Sequence, residues 1–241
     1  MSKPTGYAWQ KYLLIIFSAV MIVIIVAAGI TLITPQPTTL IVYKKAPSFT
    51  LTDENNNNVT LNTFLGKTLI MDFIYTHCPN PNGTLGECST ETVKMGTLLS
   101  DLMNMGYTGN DFHLISISID WKFDNVSTMK AYGQDRGEGQ FQYWSFLSGT
   151  KSQIENISKG YYIEADYINT TNTFNQTVPV VTQPIVNNTV EYMSHSLMVY
   201  LIDKHGYIRI PKDKQGTLLP ITGTDWLAKN VAKYVSQLIK E

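Results

Sequence analysis

Charge and thiols are both scarce in this chain of 241 residues: Asp, Glu, Lys and Arg make up 15%, the formal net charge is −1, and there are two cysteines and four histidines. A near-neutral balance removes the electrostatic case for nucleic acid as a partner. The 44% hydrophobic content excludes a disordered chain. There is no internal repeat, and the roughly 195 residues that follow the N-terminal apolar run are too few for two domains of ordinary size. The two cysteines, Cys78 and Cys88, fall in one loop rich in Pro, Gly and Asn, directly after a strand-like run. Packing alone does not explain that placement, because a structural thiol is normally a small buried hydrophobe.

From Leu13 to Ile33 the chain carries no charge over 21 residues. As a helix this run would span roughly 31 Å, the thickness of the hydrocarbon layer. The expectation is one transmembrane helix over 13–33, with residues 1–12 cytoplasmic, 34–45 a Pro-containing extended linker, and 46–241 an extracytoplasmic domain at the cell membrane. Lys3 and Lys11 before the run nearly balance Lys44 and Lys45 after it, so the positive-inside rule does not set orientation. A cleavable signal peptide is the other reading, and it exports the domain equally. Asn-x-Ser/Thr sequons at Asn58, Asn82, Asn125, Asn156, Asn169, Asn175 and Asn187 suit an exported surface.

Within the domain, strands and helices alternate. Phe49–Leu51 and Val59–Leu61 flank turn residues and read as a hairpin. Thr68–Tyr75 is an almost wholly apolar run, the mark of a buried strand, with Asp72 alone inside it. Thr90–Met105 places Val93, Thr97, Leu98, Leu102 and Met105 on one helical face. His113–Ile119 and Tyr143–Leu147 read as strands, Val126–Tyr132 and Lys151–Gly160 as helices, and Glu164–Val190 as an insertion or exposed hairpin. Leu197–Ile202 and Tyr207–Ile210 form a hairpin, and Asp225–Leu238 a final helix capped by Asp225. This is the order of a thioredoxin-like α/β sandwich.

Ala46-Pro47-Ser48-Phe49-Thr50-Leu51, Gly66-Lys67, Phe73-Ile74-Tyr75-Thr76-His77-Cys78-Pro79, Ser116-Ile117-Ser118-Ile119-Asp120, Phe146-Leu147-Ser148-Gly149-Thr150 and His195-Ser196-Leu197-Met198-Val199-Tyr200-Leu201-Ile202-Asp203 together resemble the Sco/SenC family of membrane-anchored, thioredoxin-fold copper proteins. The likeness extends over about residues 46–239. It implies copper, as Cu(I) or Cu(II), held by the thiolates of Cys78 and Cys88 and the imidazole of His195. It also implies delivery to the copper-bearing subunit of a respiratory terminal oxidase, at its binuclear copper centre. The donor chemistry agrees, since soft thiolates select Cu(I) and imidazole serves either oxidation state.

One departure stands out. Family members place three residues between the cysteines, whereas nine, Pro79–Glu87, intervene here. The larger ring adds only roughly 0.7 kcal/mol to closure, so it forbids neither a shared metal nor a disulfide. Cys88 is expected at a helix N-terminus, where the dipole would lower its pKa. His195 is expected at the head of the following strand.

Two other functions compete. Cys78 and Cys88 could cycle as a dithiol and disulfide that reduces cysteines of an exported oxidase subunit, which would make the protein a thiol-disulfide oxidoreductase. They could also form a plain structural disulfide. His77, next to Cys78, reads as a solvated or supporting histidine, and His113 and His205 as ordinary polar residues. Met71, Met95, Met103 and Met105 read as core filling. Asp120 and Asp124 match acidic family positions and are expected to be structural or to serve docking.

Overall fold

A computed structural model describes residues 12–22, 39–78, 87–136, 139–171, 185–186, 189–223 and 225–241. Residues 12–22 form a helix, α1, that exposes its apolar side chains. No helix among the described residues is long and apolar enough to cross a membrane, and residues 23–33 of the expected span lie outside them.

The domain then runs β1 (Thr39–Lys45), β2 (Thr50–Thr52), β3 (Asn58–Thr60), α2 (Leu61–Phe64), β4 (Thr68–Ile74), α3 (Glu87–Asn104), β5 (Phe112–Ser118), α4 (Val126–Arg136), β6 (Trp144–Leu147) and α5 (Lys151–Tyr161). It continues through β7 (Ala165–Thr171), β8 (Ile185–Val186), β9 (Thr189–His195), β10 (Met198–Ile202), β11 (Tyr207–Lys212), β12 (Ile221–Thr222) and α6 (Ala228–Lys240). The main sheet is ordered β1-β11-β10-β4-β5-β6, parallel across β4, β5 and β6 and antiparallel elsewhere. β12 pairs with Met198 and Val199 of β10, beyond Leu201 and Ile202, where β10 pairs with β11.

β4 and β5 are buried along their whole length, which is why their sequences are apolar runs rather than alternating ones. Successive β4 residues face opposite sides. Phe73 meets Tyr161 of α5 on one side, while Asp72 lies toward Glu91 and Cys88 of α3 on the other. α3 packs between α6 and α4. The 164–190 stretch becomes a separate small sheet ordered β7-β9-β8 where it is described.

Four expectations change. The described part of the 34–45 stretch is not a free stalk: from Thr39 it is β1, an edge strand paired with β11. The buried stripe of α3 is Cys88, Glu91, Thr92, Met95, Leu98, Leu99 and Leu102, so Val93, Met103 and Met105 point outward. Hydropathy misplaced this face because two polar residues sit on its inner side. α6 starts at Ala228 with Leu227 as its uncapped N-cap, and Asp225 does not cap it. His113 is buried at 7% exposure, stacked on Phe64 and bonded through Nε2 to Ser145 Oγ at 2.9 Å.

Candidate metal centre

Three chain elements converge at the C-terminal end of β4. The strand passes through Tyr75 into a turn that ends in Cys78, α3 opens with Glu87 and Cys88, and β9 terminates at His195. His195 therefore closes a strand rather than heading the next one. Its place is fixed by pairing with Ala165 of β7 and by Ser196 N–H donating to Glu164 O at 3.1 Å.

Cys88 is the hub. Its backbone N–H donates to Cys78 Sγ at 3.3 Å, its thiol shares a hydrogen bond with the same sulfur, and its own Sγ lies 3.2 Å from His195 Nε2. Both cysteines are free thiols. His195 Nδ1 is 3.1 Å from Ser196 O, and a carbonyl only accepts, so Nδ1 carries the proton and Nε2 presents its lone pair to Cys88. Burial lowers the imidazole's pKa and keeps it neutral, the form that ligates metals. The Tyr75 ring meets the imidazole edge-on at 5.6 Å.

The thiols separate in acidity, and in the sense opposite to the sequence expectation. Hydrogen bonding from Cys88 pulls Cys78 down to about 7 against the opposing effect of burial. Burial, then the neighbouring Cys78, push Cys88 well up. The helix N-terminus thus stabilises an anion on Cys78, through the Cys88 N–H that points at its sulfur, while Cys88 itself is too deeply buried to hold the charge.

A family profile, SCO1/SenC, matches residues 41–221. The chain belongs to the SCO1/SenC family. No curated protein sequence matches it. Among solved structures, Bradyrhizobium japonicum ScoI with copper bound is 22% identical with a TM-score of 0.57, covering 80% of this chain and 99% of that one. Yeast Sco1 with copper bound is 22% identical with a TM-score of 0.57, covering 83% and 90%. BsSco, described as having a disulfide switch and as a member of the Sco family of cytochrome c oxidase assembly proteins, is 19% identical with a TM-score of 0.57, covering 85% and 98%. These likenesses establish the thioredoxin-like α/β fold of this Sco domain.

Behind the sulfurs lie two buried acids to which no role was given from sequence. Asp72 Oδ1 accepts from Ser116 Oγ at 2.6 Å, because β4 and β5 pair these residues in register, and Oδ2 has no hydrogen-bond partner. Burial raises its pKa to about 7. Glu91 accepts from Trp226 Nε1 at 2.9 and 3.0 Å, and burial, then Asp72, raise it to about 8. A single Asp within an apolar strand was the one visible signal.

Beside Cys78 stands a second cluster. His77, Asp120 and Asp124 are, among the described residues, the group whose ligand atoms all lie within 4.8 Å of one another, whereas the thiols and His195 meet pairwise through Cys88. Its carboxylates are committed to the protein. Asp124 accepts from Thr76 N at 2.9 Å and Oγ1 at 2.5 Å and from Ser118 Oγ at 2.6 Å, with His77 Nδ1 3.4 Å away. Asp120 Oδ1 accepts from Lys122 N at 3.1 Å and Phe123 N at 3.0 Å. Hydrogen bonding to Asp124 raises the pKa of His77. The cluster ties the turn before Cys78 to the loop after β5, the structural role expected of Asp120 and Asp124. The sequence separation of 48 between Thr76 and Asp124 hid that tie.

Proposed function

We propose that this protein is an exported, membrane-anchored copper chaperone that carries copper on Cys78, Cys88 and His195 and hands it to the binuclear copper centre of a respiratory terminal oxidase. The apolar run 13–33 is its anchor, with the domain on the extracytoplasmic side. The observation that carries the reading is the position of Cys88, whose sulfur touches a neutral imidazole lone pair while its backbone amide holds the Cys78 sulfur. Two sulfurs and one aromatic nitrogen are a donor set for a soft ion. Binding would draw Cys78 and His195 toward a common point from either side of Cys88, which releases the Cys88 proton. Three ligands leave one side of a trigonal Cu(I) open, so a partner's sulfur or nitrogen can enter before the chaperone's ligands leave.

The acidity split supports a second activity of the same residues. A half-buried thiol near 7 beside a buried, high-pKa thiol is the arrangement of an attacking and a resolving cysteine, so the reduced apo form would reduce a disulfide of an exported partner, Cys78 forming the mixed disulfide and Cys88 displacing the partner's second thiol as the Cys78–Cys88 disulfide forms. Metallated thiolates are withheld from that exchange, so copper loading and thiol reactivity alternate. The deciding experiment is anaerobic Cu(I) titration of the reduced protein and its Cys78→Ala, Cys88→Ala and His195→Ala variants. The copper reading requires one ion per chain, with tight binding lost or sharply weakened in each variant. Unchanged affinity in His195→Ala would remove the imidazole from the site and leave the thiol activity alone.

A further inference from the structure

The register of the sheet places an apolar hairpin beside the point where the chain enters the domain. Thr39, the first residue of β1, pairs with Lys212, and Lys212 bridges Leu218. Residues 211–220 therefore turn back on themselves at that end of the sheet. The turn is closed by Asp213 N–H to Thr217 O at 3.0 Å, Thr217 N–H to Asp213 Oδ1 at 2.7 Å and Leu219 N–H to Pro211 O at 2.7 Å, with Gly216 at φ +93°. Leu218 and Leu219 are 41% and 39% exposed on this turn, which also carries Lys212 and Lys214. The apolar surface continues into a cavity of about 270 Å³ lined by Tyr43, Tyr162, Met198, Leu218 and Pro220.

We infer that this hairpin docks on the lipid surface of the membrane that holds the anchor, seating Leu218 and Leu219 among the headgroups and fixing the orientation of the domain. The inference rests on the anchor reading above. From Ile33, the end of the apolar run, to Thr39 is six residues, a reach of at most about 20 Å. A domain of this size is about 40 Å across, so the Thr39 end has to face the bilayer and carries its register neighbours with it. Exposed leucines beside lysines, whose stems run along apolar surface with their charges in the headgroup layer, are the chemistry of an interfacial contact. The hairpin carries two lysines against one aspartate, a net positive charge, so anionic lipid strengthens the contact.

The test uses the full chain in lipid nanodiscs containing a nitroxide-labelled phospholipid, read by methyl NMR. Leu218 and Leu219 methyls, and those of Ile221 beside them, should relax several-fold faster than methyls at the far end of the sheet, and Leu218→Ser/Leu219→Ser should shrink the difference at Ile221 while leaving the fold intact. Equal relaxation at both ends, in a chain that stays in the membrane through alkaline carbonate extraction, overturns the docking and spares the anchor. Release by carbonate overturns the anchor and the docking with it. Protection of the two leucines from solvent without lipid-induced relaxation would mean that protein covers them, which also overturns the inference.

Discussion

Two histidine corners flank the turn that ends in Cys78, and they treat their donors in opposite ways. At His77 the acidic partners are consumed by the protein: the Asp124 carboxylate takes a backbone N–H and two hydroxyls as well as the imidazole, and Asp120 takes two backbone N–H groups. At His195 the donors face one another instead, with sulfur, sulfur and nitrogen linked through Cys88 by contacts of 3.2 and 3.3 Å. The first corner is the tighter cluster, yet it has little left to offer an ion. The second sets its soft donors against one another, with Cys88 in contact with both of the others. Proximity of ligand types is therefore a poor guide to metal binding unless the competing hydrogen bonds are counted.

The largest expected break in that contrast is Cys88→Ala, which removes the shared contact of the open corner. Competition titration with a Cu(I) chelator should show a loss exceeding the roughly 10–100-fold that an outer partner costs. His195→Ala comes next, with affinity down on the order of 10–100-fold, about 1.4–2.8 kcal/mol. If either left affinity intact while Asp124→Ala abolished it, the roles of the corners would be reversed.

Acidity sharpens the comparison. In the proposed site Cys88, which holds its proton through neutral pH, would have to lose it to bind copper, while His195 is already neutral. Cu(I) affinity should therefore climb with pH above 7, by up to about tenfold per unit for each proton released. A flat profile between pH 7 and 9 would show that Cys88 is already a thiolate.

The buried acids give a stability signature of the opposite slope. Asp72 has its folded pKa raised from an ordinary 3.8 to about 7, and Glu91 from 4.5 to about 8. The folded state thus keeps protons that the unfolded chain loses. Their favourable contribution is complete below about pH 4 and is lost as pH rises through 7 to 8. Denaturant titration should show Asp72→Asn to be less pH-sensitive than the parent and relatively more stable at pH 8. An unchanged pH profile would mean that Asp72 ionises freely.

The smallest effect on copper should come from the closed corner. Asp124→Asn is expected to lower stability by about 1–3 kcal/mol, read as a drop of several degrees in thermal midpoint, while copper stoichiometry stays the same.

How much of this was legible in sequence varied with the range of the interaction involved. β4 and β5 announced themselves as apolar runs because both of their faces are covered. The β10–β11 hairpin was marked by its Asp203 to Gly206 turn. Thiol placement and the His195 strand motif pointed to the same three residues that the fold gathers. The inward face of α3 was misread because Glu91 and Thr92 occupy it, and a buried acid satisfied by Trp226, 135 residues away, has no local signal. β1 was hidden inside a Pro-containing stretch whose pairing partner, β11, comes more than 160 residues later.

By itself the sequence determined the family, the order of elements from β4 to α5 and the β10–β11 hairpin, the apolar N-terminal run and the identity of the soft donors, since each depends on residue type or short-range periodicity. Only the tertiary structure decided which thiol becomes the anion, which tautomer His195 holds, where Asp72 and Glu91 lie, and which histidine cluster is already spent. Those properties depend on burial and on hydrogen bonds between residues tens to more than a hundred positions apart, and such contacts exist only once the chain has folded.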